Sequence, residues 1–321
     1  MNKQETALAY HHTYHLLGQL LLHGLTPDLY PYLQQIPELA QHLAEKPDYD
    51  EAAVRHQNLF GFNIHPHESI FLGEDGLLGG PIAHAVHHTY TQIGYQTAEE
   101  PDHIGRELEA LAFLCAAEAD AWEDGVTPIA LQMQRHQLTL LDQHLLRWLW
   151  PFTKAIQEHQ DPFYTAVATL LHNVIVTQVE QLPPHSSTST AAFTLPDAPA
   201  ILENEKTGLK DIARYLVTPV YSGLYLSRDI IGQIARQFEL PRGFGGREQT
   251  LTNLLRSAVQ FDLLPTLISH LHSIAEGWYD EAMGEHATIT PYTNPWAAHL
   301  QQTMMILDQI KNSAYALNDE G

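Results

Sequence analysis

The sequence has very little cysteine and no long apolar run. Its 321 residues include one cysteine, Cys115, which excludes a disulfide within the chain and an all-cysteine metal site. Cys115 lies in the apolar run LAFLCAA, a pattern that predicts a buried thiol. No stretch approaches the roughly 20 apolar residues that span a bilayer. The first residues, MNKQETALAYHHTYHLL, lack the basic and apolar regions of a secretory signal. We therefore expect a cytoplasmic protein without stable membrane insertion.

Basic residues are also scarce. The chain has 16 Lys and Arg against 38 Asp and Glu, which gives a formal net charge of −22. This balance disfavours nucleic-acid binding, because phosphate contacts need clustered Lys and Arg, and it predicts attraction of a basic partner. Residues 206–256 are the exception, with eight basic and four acidic residues. We expect this basic segment to be a contact surface, either for the acidic corner near Glu100 and Asp102 or for an acidic or phosphate-bearing surface of a partner.

Apolar residues recur with helical spacing along most of the chain. Leu108, Leu111 and Cys115, for example, continue from Ile104 at spacings of four, three and four. Sustained alternation of period two is not found, so no sheet is predicted and the fold class is all-α. The predicted helices are 5–23, 28–45, 50–59, 81–95, 101–122, 128–148, 161–181, 208–216, 228–239, 247–262, 264–282 and 295–314.

One segment interrupts the helical pattern. LPPHSSTSTAAFTLPDAPA, residues 182–200, is rich in Pro, Ser, Thr and Ala and carries no charge before Asp197. That composition is typical of a linker or a long exposed loop. We predict a helical domain at 1–182, a linker at 183–205 and a C-terminal helical module at 206–321. The sequence allows a homo-oligomer, because helical bundles with long linkers can exchange elements between chains.

Carboxylates are concentrated around one helix start. Residues 99–124 hold nine carboxylates and a single basic residue, Arg106. One reading is a solvated helix start, supported by the macrodipole and by i, i+4 pairs of Asp102 with Arg106 and of His103 with Glu107. The other is an acidic recognition corner, in which Glu100 and Asp102 accept arginine donors from a peptide and His103 reports pH or orients a carboxylate.

Several short motifs occur in an order that resembles a known family. Glu100-Pro101-Asp102-His103 followed by Glu107-Leu108 is similar to the signature E-P-D-H-x-x-x-E-L, and Pro66-His67-Glu68-Ser69-Ile70 is similar to a P-x-E-S loop. The remaining matches are Tyr90 with Gly94, His144-Leu145 with Trp148, Pro151 and Phe152, and Phe163-Tyr164. Together they resemble the TorD/DmsD/NarJ family of redox-enzyme maturation chaperones over roughly residues 5–181. Typical members end near the equivalent of residue 182, so the C-terminal part has no counterpart in that pattern.

The resemblance implies a TorD-like helical bundle and a peptide-binding chaperone. Its partner would be the precursor of a molybdenum-containing oxidoreductase, bound through a twin-arginine signal peptide or another N-terminal segment and kept open for cofactor insertion. The family assigns peptide contact to the Asp-His pair, which we expect at a helix start and largely on the surface. The predicted peptide-binding residues are Asp102, His103, Pro101, Glu100, Glu68, Ser69 and Gly94. The alternative for Glu68 and Ser69 is that they shape the loop that packs beside the site.

Two other functions were weighed against the chaperone. A metal-dependent hydrolase would use some of the 21 His, such as His65-x-His67, His84-x-x-His87-His88 and His270-x-His272. None of these is HExxH, and chance neighbours are expected among so many histidines. No Ser/His/Asp or Cys/His nucleophile arrangement is visible either. We therefore predict a protein that is not an enzyme and has no cofactor or metal of its own.

A DNA-binding regulator is the other alternative. SRDIIGQIARQFEL, residues 227–240, is similar to one helix of a helix-turn-helix and lies in the basic segment. A recognition helix near 247–256 would supply only Arg247 and Arg256 to the DNA. An amphipathic core helix capped by Ser227 accounts for the same residues, with these side chains facing inward: Ile230, Ile231, Ile234 and Phe238. We accordingly predict no nucleic-acid partner.

Overall fold

The computed structural model describes residues 2–97, 99–183, 192–203, 206–241 and 243–319, with side chains up to 313. All regular elements in these ranges are helical, which confirms the all-α prediction. The chain divides into two compact units. The N-terminal unit comprises Met1–Ile70 and Leu77–Ala191, and the C-terminal unit comprises Phe71–Gly76 and Ala192–Gly321.

The N-terminal unit carries most of the predicted helices. Its α-helices are α1 (Lys3–His23), α2 (Tyr30–Leu33), α3 (Pro37–Ala40), α4 (Tyr49–His56), α6 (Gly80–Ile93), α7 (Ile104–Glu123), α8 (Thr127–Leu140), α9 (Leu146–Glu158) and α10 (Pro162–Gln181), with α5 (Glu68–Leu72) at the boundary of the units. Wide π-helical turns follow α4 at Gln57–Asn63 and α8 at Leu141–Leu145. Cys115 is buried in α7, as predicted.

Helices α1 and α7 approach each other closely at two glycines. A Cβ on Gly105 would lie 2.8 Å from the carbonyl oxygen of Gly18, and a Cβ on Gly18 would lie 3.0 Å from that of Gly105. Backbone atoms cannot move aside as a flexible side chain can, so this crossing requires glycine at both positions. The crossing fixes the first turn of α7, where the E-P-D-H motif ends, against the buried face of α1.

Two predicted helices have different bounds in the structure. The predicted helix 28–45 is broken into α2 and α3, because Ile36 precedes Pro37 and adopts an extended conformation (φ −99°, ψ 106°). The predicted helix 128–148 passes through the π-helical turn into α9 and continues beyond Pro151 to Glu158. Trp148 and Phe152 are buried, and their packing offsets the hydrogen bond that the proline removes.

The C-terminal unit is a second helical assembly. Its elements are a 3-10 turn (Ile201–Glu203), α11 (Leu209–Val217), α12 (Pro219–Ser222), α13 (Arg228–Gln237), α14 (Arg247–Gln260), α15 (Leu264–Gly284) and α16 (Thr290–Asp319). Ser227 caps α13 by accepting a hydrogen bond from the Ile230 N–H at 3.1 Å, as predicted. Ile231 and Ile234 are buried on the inner face of this helix, which is the pattern of a core helix.

Residues 71–76 belong to the C-terminal unit although they lie far from it in sequence. The Phe71 ring stacks on Tyr225 with centroids 5.0 Å apart. The Tyr221 hydroxyl donates a hydrogen bond to the Glu74 carboxylate at 2.6 Å. A segment that directly follows the P-x-E-S motif is therefore part of the C-terminal unit. The predicted domain bounds remain a prediction, and the predicted linker 183–205 lies partly outside the described residues, at 184–191, 204 and 205.

Several residues of the basic segment 206–256 have acidic or aromatic neighbours within the C-terminal unit. Glu248 accepts a hydrogen bond from Arg214 Nε at 3.2 Å and lies 3.8 Å from Lys210 Nζ. The Arg247 guanidinium lies 4.4 Å from the centroid of the Tyr225 ring. Arg242 lies outside the described residues. These contacts give part of the segment a role inside its own unit, and the contact surface for a partner remains a prediction.

Candidate functional site

A short antiparallel bridge joins the start of α7 to the segment that leads into α5. The Glu68 N–H donates to the Asp102 carbonyl at 2.8 Å, and the Ile104 N–H donates to the Pro66 carbonyl at 2.8 Å. Two motifs separated by more than thirty residues in the sequence are thereby held side by side. The structure thus brings together the P-x-E-S and E-P-D-H motifs that the sequence singled out.

Asp102 is buried inside this junction and stabilises it through a hydrogen bond. It is only 2% exposed, and its Oδ2 accepts a hydrogen bond from the Ser69 N–H at 3.1 Å. The Ser69 hydroxyl oxygen in turn accepts from the Gly79 N–H at 3.0 Å. The prediction that Asp102 lies on the surface is wrong, because its carboxylate satisfies an amide that the first turn of α5 leaves unpaired. Asp102 therefore organises the loop and does not present a charge to solvent.

His103 is the N-cap of α7, as its predicted place at a helix start requires. Its Nδ1 accepts a hydrogen bond from the Gly105 N–H at 3.0 Å, and its ring packs edge-on against His67 with centroids 4.8 Å apart. The ring is buried, so the expected surface exposure is wrong here too. Burial, assisted by the neighbouring His67 and Arg106, lowers the pKa of His103 to about 3. The predicted role as a pH reporter near neutrality is accordingly wrong.

A buried polar chain lies beneath the junction. Glu68 Oε2 is 3.0 Å from Nδ1 of His144, and the other ring nitrogen of His144 is 2.8 Å from the Thr89 hydroxyl. Burial raises the pKa of Glu68, and the hydrogen bond and charge of His144 oppose that rise. The side chains of Glu68 and Ser69 are both buried. Glu68 and Ser69 therefore stabilise the site from the protein interior and do not line its surface.

Glu107 places a second carboxyl group in this interior. The side chain is completely buried, and neither oxygen has a hydrogen bond of normal geometry among the described residues. Burial raises the pKa of Glu107 well above its ordinary value, the charges of Glu68 and Asp102 add to the rise, and the Trp148 indole opposes it. We infer that the Glu107 carboxyl is neutral at physiological pH, since an isolated buried charge is very costly.

The predicted i, i+4 pairs of α7 are not formed. Arg106 donates to Glu109 Oε2 at 2.8 Å, an i, i+3 pair, instead of reaching Asp102. Glu107 points into the core, away from a surface pairing with His103. The pairs were inferred from spacing alone, and spacing does not decide which of two neighbouring residues is buried. The reading of this motif as a solvated helix start is therefore wrong at three of its positions.

Glu100 is the charged site residue that faces solvent. Its side chain is 66% exposed, and its Oε2 lies 3.8 Å from Nε2 of His67. The residue has a left-handed φ of 45°, a conformation that costs energy outside glycine, and the His103 N–H donates to its carbonyl at 3.0 Å. Leu77 and Leu78, just before Gly79, are also exposed. The rim of the site thus offers one exposed carboxylate, and the loop bonded to Ser69 offers two leucines.

Pro101 and Gly94 are connected through one tyrosine. The Tyr90 hydroxyl donates to the Pro101 carbonyl at 2.7 Å, while the Tyr90 carbonyl accepts from the Tyr95 N–H at 2.9 Å at the end of α6. Gly94 ends that helix with a φ of 75°, a conformation for which glycine is favoured. The geometry gives Gly94 a structural role, and its contact with a peptide remains a prediction.

Sequence reasoning did not assign Thr89, His144 or Glu107 to the site. The sequence did contain one indication for Glu107. This charged residue falls among the buried apolar positions of α7, between Ile104 and Leu108. A polar residue at an apolar position of a helix is expected to have a buried partner or a function. His144 was noted only as a family motif, and its partner Glu68 lies 76 positions away in the sequence.

The described ranges were also examined for metal sites and membrane helices. Across these residues, no three His, Cys, Asp or Glu side chains are grouped so that they could hold a metal ion. No helix in the same ranges is both long enough and apolar enough to cross a membrane.

The low pKa of His103 predicts a loss of stability in acid. Between about pH 6.5 and 3, an unfolded His103 binds a proton that the folded one does not, so the free energy of unfolding falls as the pH falls. A difference of one bound proton changes the free energy of unfolding by about 1.4 kcal/mol per pH unit. We expect His103→Asn, which keeps a good N-cap, to flatten the dependence by up to this amount in urea titrations across that range.

The control for this experiment is His88→Asn, an exposed substitution in α6. It should leave the slope of stability against pH as in the unsubstituted protein. His56 and His67, whose pKa values burial also lowers, remain in both variants and keep part of the acid sensitivity. Equal slopes for His103→Asn and His88→Asn would show that His103 does not titrate as its burial requires.

Comparison with known proteins gives one match. Residues 26–154 match the family model described as nitrate reductase delta subunit. No curated protein and no solved structure is significantly similar to the chain. The matched segment contains the bridge between the two motifs, Glu100, and the buried chain from Glu68 to His144. The match confirms, over residues 26–154, the resemblance to the TorD/DmsD/NarJ chaperones.

Proposed function

We propose that this protein is a cytoplasmic chaperone, not an enzyme, that binds the twin-arginine signal peptide of a molybdenum-containing oxidoreductase precursor. Members of the nitrate reductase delta subunit family are maturation chaperones of molybdoenzymes. The observation that carries the finer proposal is the exposed Glu100 carboxylate, next to the junction of the two motifs. While bound, the precursor is kept open for cofactor insertion before export or assembly.

The geometry divides the predicted site residues into two roles. Asp102, His103, Glu68 and Ser69 are buried and hold the two motifs together. Glu100 faces solvent and can accept hydrogen bonds from an arginine of the client, a charge-assisted contact. The net charge of −22 favours approach of a basic segment.

We expect Glu100→Gln to weaken binding of a synthetic twin-arginine peptide by about 2- to 5-fold, as for an exposed ion pair. The substitution removes the charge and keeps the size of the side chain. Isothermal titration calorimetry at two salt concentrations measures the effect, which should shrink at higher salt because the charges are then screened. The stability of the variant should stay within about 0.5 kcal/mol of the unsubstituted protein.

The matched control is Asp120→Asn, which removes one exposed negative charge near the other end of α7. It changes the net charge equally and should leave peptide affinity unchanged. Equal effects of the two substitutions would mean that only net charge matters and would remove Glu100 from the site.

The client itself is tested in the native host. A pull-down with the full-length chain should recover the catalytic subunit of a molybdoenzyme, identified by mass spectrometry. Deletion of the gene should leave that enzyme without its molybdenum cofactor. A fully loaded and active client in the deletion strain contradicts the maturation role.

A further inference from the structure

Helices α4 and α10 border a cleft of about 250 Å³ in the N-terminal unit. Its wall includes Leu25, Leu43 and Phe163, which are apolar, and its polar groups come from Asp48, Glu51, Arg55 and Tyr164. The volume is that of a large side chain and too small for a folded element. Phe163-Tyr164 is the motif from the sequence analysis that the site at Glu100 does not use.

Tyr164 places a hydroxyl group without a partner on this cleft. The residue is 2% exposed, and its ring packs edge-on against Phe60 with centroids 5.3 Å apart. Its hydroxyl forms no hydrogen bond with any described residue, and Tyr164 lines the cleft. The hydroxyl oxygen itself is not among the buried polar atoms without a partner, so it is open to a group that enters the cleft.

The charge of the cleft is negative. Arg55 is neutralised by Asp161, whose carboxylate accepts from Nη2 at 2.8 Å and from Nε at 3.2 Å. Asp48 uses Oδ1 to accept from the Asp50 and Glu51 N–H groups at 3.0 and 3.1 Å, which leaves Oδ2 available. The Glu51 side chain has no partner among the described residues. Two carboxylates thus remain uncompensated beside apolar walls.

We infer that the cleft binds a basic side chain, arginine or lysine, of a partner polypeptide. The aliphatic stem of such a side chain would lie against Leu43 and Phe163, as long basic side chains do on apolar surfaces. Its head group would donate to Asp48, to Glu51 and to the hydroxyl oxygen of Tyr164. Asp48 and Glu51 are exposed, so an acidic ligand would be repelled by their charges, and an apolar ligand would gain nothing from them.

The cleft and Glu100 both belong to the N-terminal unit, and both present carboxylates to solvent. The identity of the occupant as part of the client segment rests on the proposed function, whereas the preference of the cleft for a cation does not.

The cation preference is tested on the full-length protein with two small probes. N-acetyl-arginine methylamide is titrated and followed through the methyl signals of Leu25, Leu43 and Ala52 by nuclear magnetic resonance. N-acetyl-norleucine methylamide is the uncharged probe. We expect saturable shifts at these methyl groups with the arginine probe alone. Shifts of equal size with both probes, or none with either, would overturn the inference.

Two variants locate the contacts. Tyr164→Phe should weaken binding of the arginine probe by about 2- to 10-fold, the range of one net hydrogen bond, and should fold normally because the hydroxyl bonds to no described residue. Glu51→Gln should weaken it by about 2- to 5-fold. Asp50→Asn is the matched control, since it removes a charge from the same first turn of α4 without lining the cleft. An affinity loss in Asp50→Asn equal to that in Glu51→Gln would show a general charge effect.

Two peptides test whether the basic side chain in the cleft comes from the client. One carries the twin arginines, and the other has norleucine in their place. If the cleft holds a client side chain, Glu51→Gln weakens binding of the first peptide and leaves that of the second unchanged. If the peptide binds with equal affinity to Glu51→Gln and the unsubstituted protein, the client does not use the cleft. If the arginine probe binds but neither peptide does, the proposed function fails and the cation site stands.

Discussion

Phe71→Ala is expected to lower the free energy of unfolding of the C-terminal unit by about 3–5 kcal/mol, the usual cost of removing a buried phenylalanine. Phe71 is completely buried, and its ring stacks on Tyr225 with centroids 5.0 Å apart. Truncation leaves a cavity beside that ring and removes the stacking. The effect should appear in the C-terminal unit although residue 71 lies within the segment matched by the family model.

The same segment has further contacts that add to this expectation. The Arg247 guanidinium lies 4.4 Å from the centroid of the Tyr225 ring, and Tyr221 donates to Glu74 at 2.6 Å. Loss of Phe71 loosens the segment that carries Glu74, so part of the cost comes from this hydrogen bond. Double substitutions in this group should therefore be less than additive, because neighbouring contacts are coupled.

Hydrogen exchange measured by mass spectrometry distinguishes the two units. Peptides from α11 to α16 should exchange faster in Phe71→Ala, because local opening free energies report the stability of each cooperative unit. Leu77→Ala is the control, since Leu77 is exposed and lies in the same loop, and it should change stability by no more than about 0.5 kcal/mol. Unaltered exchange in α11 to α16 would show that residues 71–76 do not stabilise the C-terminal unit.

Local sequence signals predicted much of the fold. The apolar stripe through Leu108, Leu111 and Cys115 predicted α7, and all three residues are buried. Ser227 was predicted to cap α13 and does so. These features depend on residues within one or two helical turns of each other, so one stretch of sequence contains the information. The assignment of residues 71–76 to the C-terminal unit depends on Tyr221 and Tyr225, about 150 positions away, and no periodicity encodes it.

The exposure of the predicted site residues was misread. The two motifs lie side by side, and His103 begins a helix as predicted. The binding of a peptide there remains a prediction. A charged residue before a helix is usually solvated, so Asp102 was expected at the surface. It is buried because the first turn of α5 requires an acceptor at that point, and α5 was not predicted. Joint replacement of Asp102 and His103 by alanine would therefore disturb the fold as well as any contact with a peptide.

His144→Ala is expected to lower the free energy of unfolding by about 3–5 kcal/mol at neutral pH, the usual cost when a buried carboxylate loses its partner. Glu68 and His144 are both buried, with 3.0 Å between Oε2 and Nδ1. Burial already raises the pKa of Glu68, and His144 opposes that rise. Without His144 the pKa of Glu68 rises further. A carboxyl group whose pKa is raised in the folded state lowers the free energy of unfolding once the pH exceeds its pKa in the unfolded state. The stability lost in His144→Ala should therefore become smaller in acid, where Glu68 is protonated in both states.

A double-substitution cycle with Glu68→Gln isolates the pair. Once residue 68 is neutral, loss of the imidazole leaves no uncompensated charge, so His144→Ala should cost about 1–3 kcal/mol less in the Glu68→Gln background. His88→Ala, at an exposed position in α6, is the control and should be nearly neutral. Urea unfolding followed by circular dichroism at several pH values measures all four proteins. Additive effects at neutral pH would mean that Glu68 and His144 do not stabilise each other.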